Sequence, residues 1–89
     1  MVSTVDSPQP ISPAAAEFGR RVRARRVELG KSQEQLAADS DVHWSFLGQV
    51  ERGRRNLTFH NILKVAEALR VDPAELVRGL KAPTDTPSE

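Results

Sequence analysis

The sequence has no cysteine. It also has no tyrosine, so its aromatic residues are one tryptophan and three phenylalanines. Without cysteine, disulfides, thiol nucleophiles and cysteine-ligated zinc are excluded. The two histidines, His43 and His60, do not have the spacing of a metal site. There is also no glycine-rich phosphate loop and no nucleophile elbow. We therefore expect no enzymatic activity, no bound metal and no cofactor.

Long apolar runs are missing as well. No stretch approaches the roughly 18 apolar residues of a membrane span, and no basic-then-apolar leader opens the chain. These absences predict a cytoplasmic protein of bacterial or phage type that has no membrane partner. With 89 residues, the chain has room for one domain and none for a separate small-molecule effector domain.

Charge is plentiful but unevenly placed. All 13 lysines and arginines, but only 9 of the 12 acidic residues, lie in the segment 14–81, which therefore carries +4 while the whole chain carries +1. Five arginines fall within 20–26 and three more within 52–55. Two such clusters on a small domain indicate a polyanionic partner. A solvated helix face is the alternative interpretation of each run.

The apolar pattern predicts one domain over 14–81 between two disordered tails, 1–13 and 82–89, which are rich in Ser, Thr and Pro. Helical spacing inside the domain predicts five helices and no strand. The first covers about 14–29 and ends at Gly30. The other four begin at N-caps or poorer substitutes for them: Ser32, His43, Thr58 and Asp72. For the last helix, Pro73 follows the cap and Glu75 is expected to close a capping box. Short loops then favour a compact all-α five-helix bundle.

The segment 32–53 has the pattern of a helix-turn-helix. A capped helix with Leu36 and Ala37 facing inward reaches a short turn at Asp41, and the next helix buries Leu47 and Val50. The opposite side of that helix faces outward and carries Trp44, Ser45, Gly48, Gln49 and Arg52. Such a face can enter a DNA major groove, which is about 12 Å wide.

These residues resemble the phage-repressor-like helix-turn-helix family (Cro/C1, xenobiotic-response-element type), which includes restriction–modification controller proteins. The resemblance spans about 18–80 and rests on five blocks in order: Phe18-Gly-Arg-Arg-Val-Arg, Ser32-Gln33 with Leu36-Ala37, Val50-Glu-Arg-Gly53, Asn56-Leu-Thr58, and Val71-Asp-Pro73. It implies a lambda-repressor-like fold and a small transcriptional regulator of double-stranded DNA. Because one helix-turn-helix reads few base pairs, we expect a homodimer on a palindromic operator.

The resemblance also implies roles for individual side chains. Trp44, Ser45 and Gln49 match positions that reach base edges, and Gln49 has the amide chemistry to bond adenine twice. Gln33 matches a glutamine that holds a phosphate and braces the recognition helix, about 43–52. Further phosphate contacts are expected from His43, Arg52, Arg54, Arg55 and Asn56. Trp44 as a core aromatic and His43 as a plain surface residue stay open as alternatives.

Arg26 and Glu51 are opposite charges on faces that should point inward. Arg26 lies on the apolar stripe of the first helix, and Glu51 follows Leu47 by four residues. The family has an ion pair at these positions, so we interpret the two as a structural pair, and Glu51 as a poor candidate for a catalytic acid.

The surface that would bring two copies together is less defined. The last helix, with Val77 and Leu80, is the predicted dimer surface, together with the end of helix four. Closing the monomer core is the alternative role of these residues. A protein-interaction module with weak DNA binding, antitoxin-like or polymerase-binding, is the alternative function, and an outward Trp44 is the feature that favours it.

Overall fold

The computed structural model describes residues 9–84. It contains five helices, namely α1 Pro13–Glu28, α2 Gln33–Ser40, α3 Trp44–Glu51, α4 Phe59–Ala68 and α5 Pro73–Val77, and these described residues form no strand. The predicted all-α five-helix bundle is therefore confirmed. Of the predicted tails, 1–13 and 82–89, residues 1–8 and 85–89 lie outside the described residues. Within residues 9–84, no helix is long and apolar enough to cross a membrane.

Short-range side-chain caps fix where the helices begin. Ser12 caps α1 by accepting from the Ala15 amide at 3.0 Å, which starts this helix slightly earlier than predicted. Ser32 and Gln35 form the predicted capping box on α2, with both hydrogen bonds present. The Thr58 hydroxyl caps α4 by accepting from the amide of Asn61.

The capping box predicted between Asp72 and Glu75 is wrong. Asp72 does cap α5, but its carboxylate accepts from the Ala74 amide at 2.8 Å. The Glu75 carboxylate lies 3.3 Å from the guanidinium of Arg78, an opposite charge one turn further along the chain. Glu75 is therefore paired with the residue one turn later, and its side chain does not reach back to the cap.

Left-handed backbone ends α2 and α3. Asp41 follows α2 with φ 58°, a conformation that aspartate tolerates better than most residues. Gly53 follows α3 with φ 76°, and a Cβ at this position would lie 2.8 Å from the Cα of Ala16. The Gly53 carbonyl also accepts from the Ile11 amide at 2.8 Å, which fastens the chain before α1 to the end of α3.

The core draws on every helix. Its ten buried apolar residues are Phe18 and Val22 from α1, Leu36 and Ala37 from α2, Leu47 and Val50 from α3, Val65, Ala66 and Leu69 from α4 and its C-cap, and Leu76 from α5. α3 packs against both α1 and α2. Its inner face is thereby buried, and its outer face is left to solvent.

Candidate nucleic-acid interface

The outward face of α3 is the predicted base-reading surface. Leu47 and Val50 are fully buried on its inner side, whereas the Trp44 side chain is 54% exposed and Ser45 is exposed beside it. Gln49 is half-buried on the same outward side. Trp44 is therefore not a core residue. Gly48, which was predicted on the outward face, is instead buried.

His43 caps the start of α3, although histidine is a poor capping residue. Its Nδ1 accepts from the Ser45 amide at 3.2 Å and lies 2.8 Å from the Ser45 hydroxyl, while its ring stacks on Trp44 with centroids 6.2 Å apart. Because Nδ1 accepts here, the proton of the neutral ring is assigned to Nε2. His60 lies on α4, and in residues 9–84 no three His, Cys, Asp or Glu side chains are grouped to hold a metal.

The predicted ion pair between Arg26 and Glu51 is confirmed. Arg26 Nε and Nη2 donate to the two carboxylate oxygens of Glu51 at 2.6 and 3.1 Å, and the two side chains are only 11% and 3% exposed. Arg26 Nη1 donates to the Lys31 carbonyl at 2.8 Å. Gln33 Nε2 donates to the same carboxylate at 3.0 Å. One buried carboxylate of α3 is therefore bonded to α1 and to the first residue of α2.

Gly48 lies under two polar side chains of this face. The position of a Cβ built on Gly48 is 3.6 Å from an Nη atom of Arg52 and 3.6 Å from the amide oxygen of Gln33. Because Gly48 has no side chain, the ends of the Arg52 and Gln33 side chains lie directly over its backbone. Gln33 contacts α3 as predicted, while its phosphate contact stays a prediction.

Arg55 contacts the base-reading face from beyond the end of α3. Its Nε donates to Oε1 of Gln49, and its guanidinium lies over the Phe46 ring, 5.4 Å from the centroid. The Gln49 amide nitrogen has no partner among the described residues. Sequence reasoning missed this contact, because Arg55 lies past the helix end, where helical spacing does not apply.

The arginines of α1 have a different role from the one that their clustering indicated. Arg20 and Arg21 lie 2.7 and 2.8 Å from Glu17. Arg21 also donates to the carbonyl of Arg78 at 2.9 Å, and Arg25 donates to that of Leu69 at 2.9 Å. These last two bonds satisfy C-terminal carbonyls of α5 and α4, where cations are favoured.

The charge of this cluster is largely paired within the chain. Hydrogen bonds from Arg20, and then from Arg21, lower the pKa of Glu17 to about 2, so Glu17 is ionised at neutral pH. Arg26 forms its ion pair with Glu51. Of the five arginines, only Arg23 has no hydrogen-bonded partner within residues 9–84. The cluster at 52–55, beside α3, is therefore the more available one for a polyanion.

Exposed apolar side chains also lie on α4 and α5. Phe59 is 71% exposed, Leu63 36% and Val77 40%. Next to Val77 is a groove of about 410 Å³ whose apolar lining includes Ile11, Phe18, Leu57, Ile62 and Leu80. Val77 is thus exposed as a dimer contact requires, while Leu80 is half-buried against the core. Sequence reasoning did not single out Phe59, because its exposure is invisible in the pattern.

Comparison with known proteins agrees with this architecture. The helix-turn-helix family matches residues 22–76. Control protein C.BamHI of Bacillus amyloliquefaciens is 41% identical over 61 residues, which cover 67% of this chain and 75% of that protein. The uncharacterized HTH-type transcriptional regulator y4dJ of Sinorhizobium fredii is 43% identical over 60 residues, 67% of this chain and 73% of that protein.

Solved structures agree as well. The restriction-modification controller protein C.AhdI from Aeromonas hydrophila superposes with a TM-score of 0.68 at 48% identity, over 70% of this chain and 94% of that one. C.Esp1396I bound to a 19 base pair DNA duplex superposes with a TM-score of 0.68 at 26% identity, over 73% and 87% of the two chains. With most of its length matched, this chain belongs to the Cro/C1-type helix-turn-helix family, together with restriction–modification control proteins.

Proposed function

We propose that this protein is a transcriptional regulator that binds double-stranded DNA sequence-specifically, with α3 in the major groove. The observation that carries the proposal is the outward face of α3, which the buried Arg26–Glu51 pair fixes against α1. Residues 14–81 would form the DNA-binding domain, with the helix-turn-helix at about 32–53. A regulator of this kind performs no chemistry and acts in the cytoplasm, where bacterial DNA lies.

The side chains divide into base readers and backbone contacts. Trp44, Ser45 and Gln49 would reach base edges, since they lie on the outward face of α3. The groups around them would hold phosphates and so set the position of α3 without reading sequence. These are Gln33, the Nε2–H of His43, Arg52, Arg54, Arg55 and Asn56.

Two copies of the chain would bind one operator. The longest dimension of the molecule is 38 Å, whereas a duplex of 19 base pairs, the length bound by C.Esp1396I, is about 65 Å long. Such a length has room for two recognition helices one helical turn apart, which favours a palindromic site. The exposed apolar side chains of α4 and α5, Phe59, Leu63 and Val77, are the ones we assign to contact with the second copy.

Selection from a random duplex library tests the function. We expect the protein to enrich palindromic sites, and its affinity for them to fall about a thousandfold between roughly 50 and 200 mM salt. Arg54→Ala should weaken all sites by a similar factor and reduce the salt slope by about one per copy, because Arg54 would contact only phosphate. Failure to enrich any duplex at low salt would overturn the proposal.

Sedimentation velocity tests the dimer face. We expect Phe59→Glu and Val77→Glu each to shift the protein from dimer to monomer and to weaken binding to a full palindrome about a hundredfold, since a charge would be buried in an apolar contact. Val27→Glu is the matched control, because Val27 is equally apolar and 55% exposed on α1. If all three variants sediment like the unmodified protein, the assigned face is wrong.

A further inference from the structure

We infer that Arg55 is a positioning residue that sets which base Gln49 selects, favouring guanine over adenine. The inference rests on the proposed function, because it concerns the reading of DNA by α3. It adds the positioning of Gln49 to the phosphate contact already proposed for Arg55.

The Arg55 side chain is held from two directions. Its Nε–H is bonded to Oε1 of Gln49, and the flat face of its guanidinium lies over the Phe46 ring. Arg54 is also exposed, but it has no hydrogen-bonded side-chain partner within residues 9–84. A residue that only attracted phosphate would need neither contact, since a mobile charge suffices for that purpose.

The hydrogen bond determines which polar groups Gln49 can offer. A free glutamine amide presents one acceptor and one donor group, which together match the N6 amino group and N7 of adenine. When Oε1 accepts from Arg55, one of its two lone pairs is occupied, while both N–H groups of the amide stay available to a base. The terminal nitrogens of the Arg55 guanidinium are donors as well. The joined pair Gln49–Arg55 therefore presents mostly donors, with one lone pair of Oε1 as the remaining acceptor.

Guanine is the base that a surface made mostly of donors fits best. In the major groove it presents two acceptors, O6 and N7, whereas adenine places an amino donor beside its N7. Adenine opposite the pair would therefore set donor against donor. The contact within the protein thus converts a side chain suited to adenine into part of a guanine-selecting surface.

Library selection with position-by-position base preferences tests the inference. The position read by Gln49 is identified first, as the one at which Gln49→Ala removes the preference. At that position we expect the unmodified protein to favour guanine over adenine about tenfold. Arg55→Ala should reverse the preference towards adenine, because both lone pairs of Oε1 become free and the guanidinium donors beside it are removed. Preferences at other positions should stay as they were.

Arg55→Lys separates geometry from charge. Lysine keeps the positive charge but lacks Nε–H and the planar guanidinium, so we expect most of the affinity to remain while the preference shifts as in Arg55→Ala. Arg54→Ala is the control, and should weaken every site with the ranking of bases unchanged. Because both arginines are exposed, circular dichroism should show all variants folded.

Two results would overturn the inference. One is an unmodified protein that ranks adenine above guanine at the Gln49 position. The other is an Arg55→Ala or Arg55→Lys variant that weakens all sites while keeping the ranking of the unmodified protein. If the unmodified protein enriches no duplex at all, the proposed function fails, and the inference that rests on it fails too. That result differs from the two above, in which the protein does enrich duplexes.

Discussion

Glu51→Ala should lower the free energy of unfolding by about 3–5 kcal/mol, one of the two largest losses we expect from a single substitution. The variant leaves the guanidinium of Arg26 buried without its carboxylate partner. It also removes the acceptor of Gln33, so α2 loses a bond to α3. A domain of this size is stabilised by only about 5–10 kcal/mol, so a large part of its stability would be lost.

Urea unfolding followed by circular dichroism measures the effect. Glu28→Ala is the control, because Glu28 pairs with Arg25 at 2.9 Å but is 68% exposed. Glu28→Ala should lower the free energy of unfolding by less than about 1 kcal/mol. The double variant Arg26→Met with Glu51→Leu should lose less than Glu51→Ala, since it buries no unpaired charge. A Glu51→Ala variant as stable as Glu28→Ala would show that the pair does not hold the bundle together.

The elements that sequence reasoning predicted correctly depend on short-range chemistry. Ser32 bonds an amide three residues along the chain, and Thr58 does the same, so both helix starts are readable in the sequence. The apolar stripes follow helical spacing and therefore identify the core. The Arg26–Glu51 pair is predictable because two charges interrupt two such stripes.

The parts that were missed depend on contacts between distant residues or on the geometry of helix ends. Arg25 reaches the carbonyl of Leu69, 44 residues away, and nothing in a run of arginines distinguishes this use from an exposed basic patch. The bond between Arg55 and Gln49 crosses the end of α3, where the chain direction changes. Exposure of Phe59 likewise depends on how α4 is set against the bundle.

Gly19→Ala should lower the free energy of unfolding by about 3 kcal/mol, although one methyl group is the only change. The Cβ would lie 2.2 Å from the carbonyl oxygen of Val50 and 2.8 Å from that of Glu51. Both are backbone atoms of α3, so no side-chain rotation relieves the overlap. The helices α1 and α3 would have to separate, which opens the core and stretches the buried ion pair.

Gly48→Ala is the matched control for this prediction, since it places the same methyl group inside α3. Its nearest neighbours are the ends of two flexible side chains, Arg52 and Gln33, at an ordinary contact distance of 3.6 Å. Alanine favours a helix interior over glycine by about 1 kcal/mol, so this variant should be more stable than the unmodified protein. The two substitutions should therefore move the urea midpoint in opposite directions. Equal shifts would mean that helix propensity, and not the close approach of α1 to α3, determines the effect at Gly19.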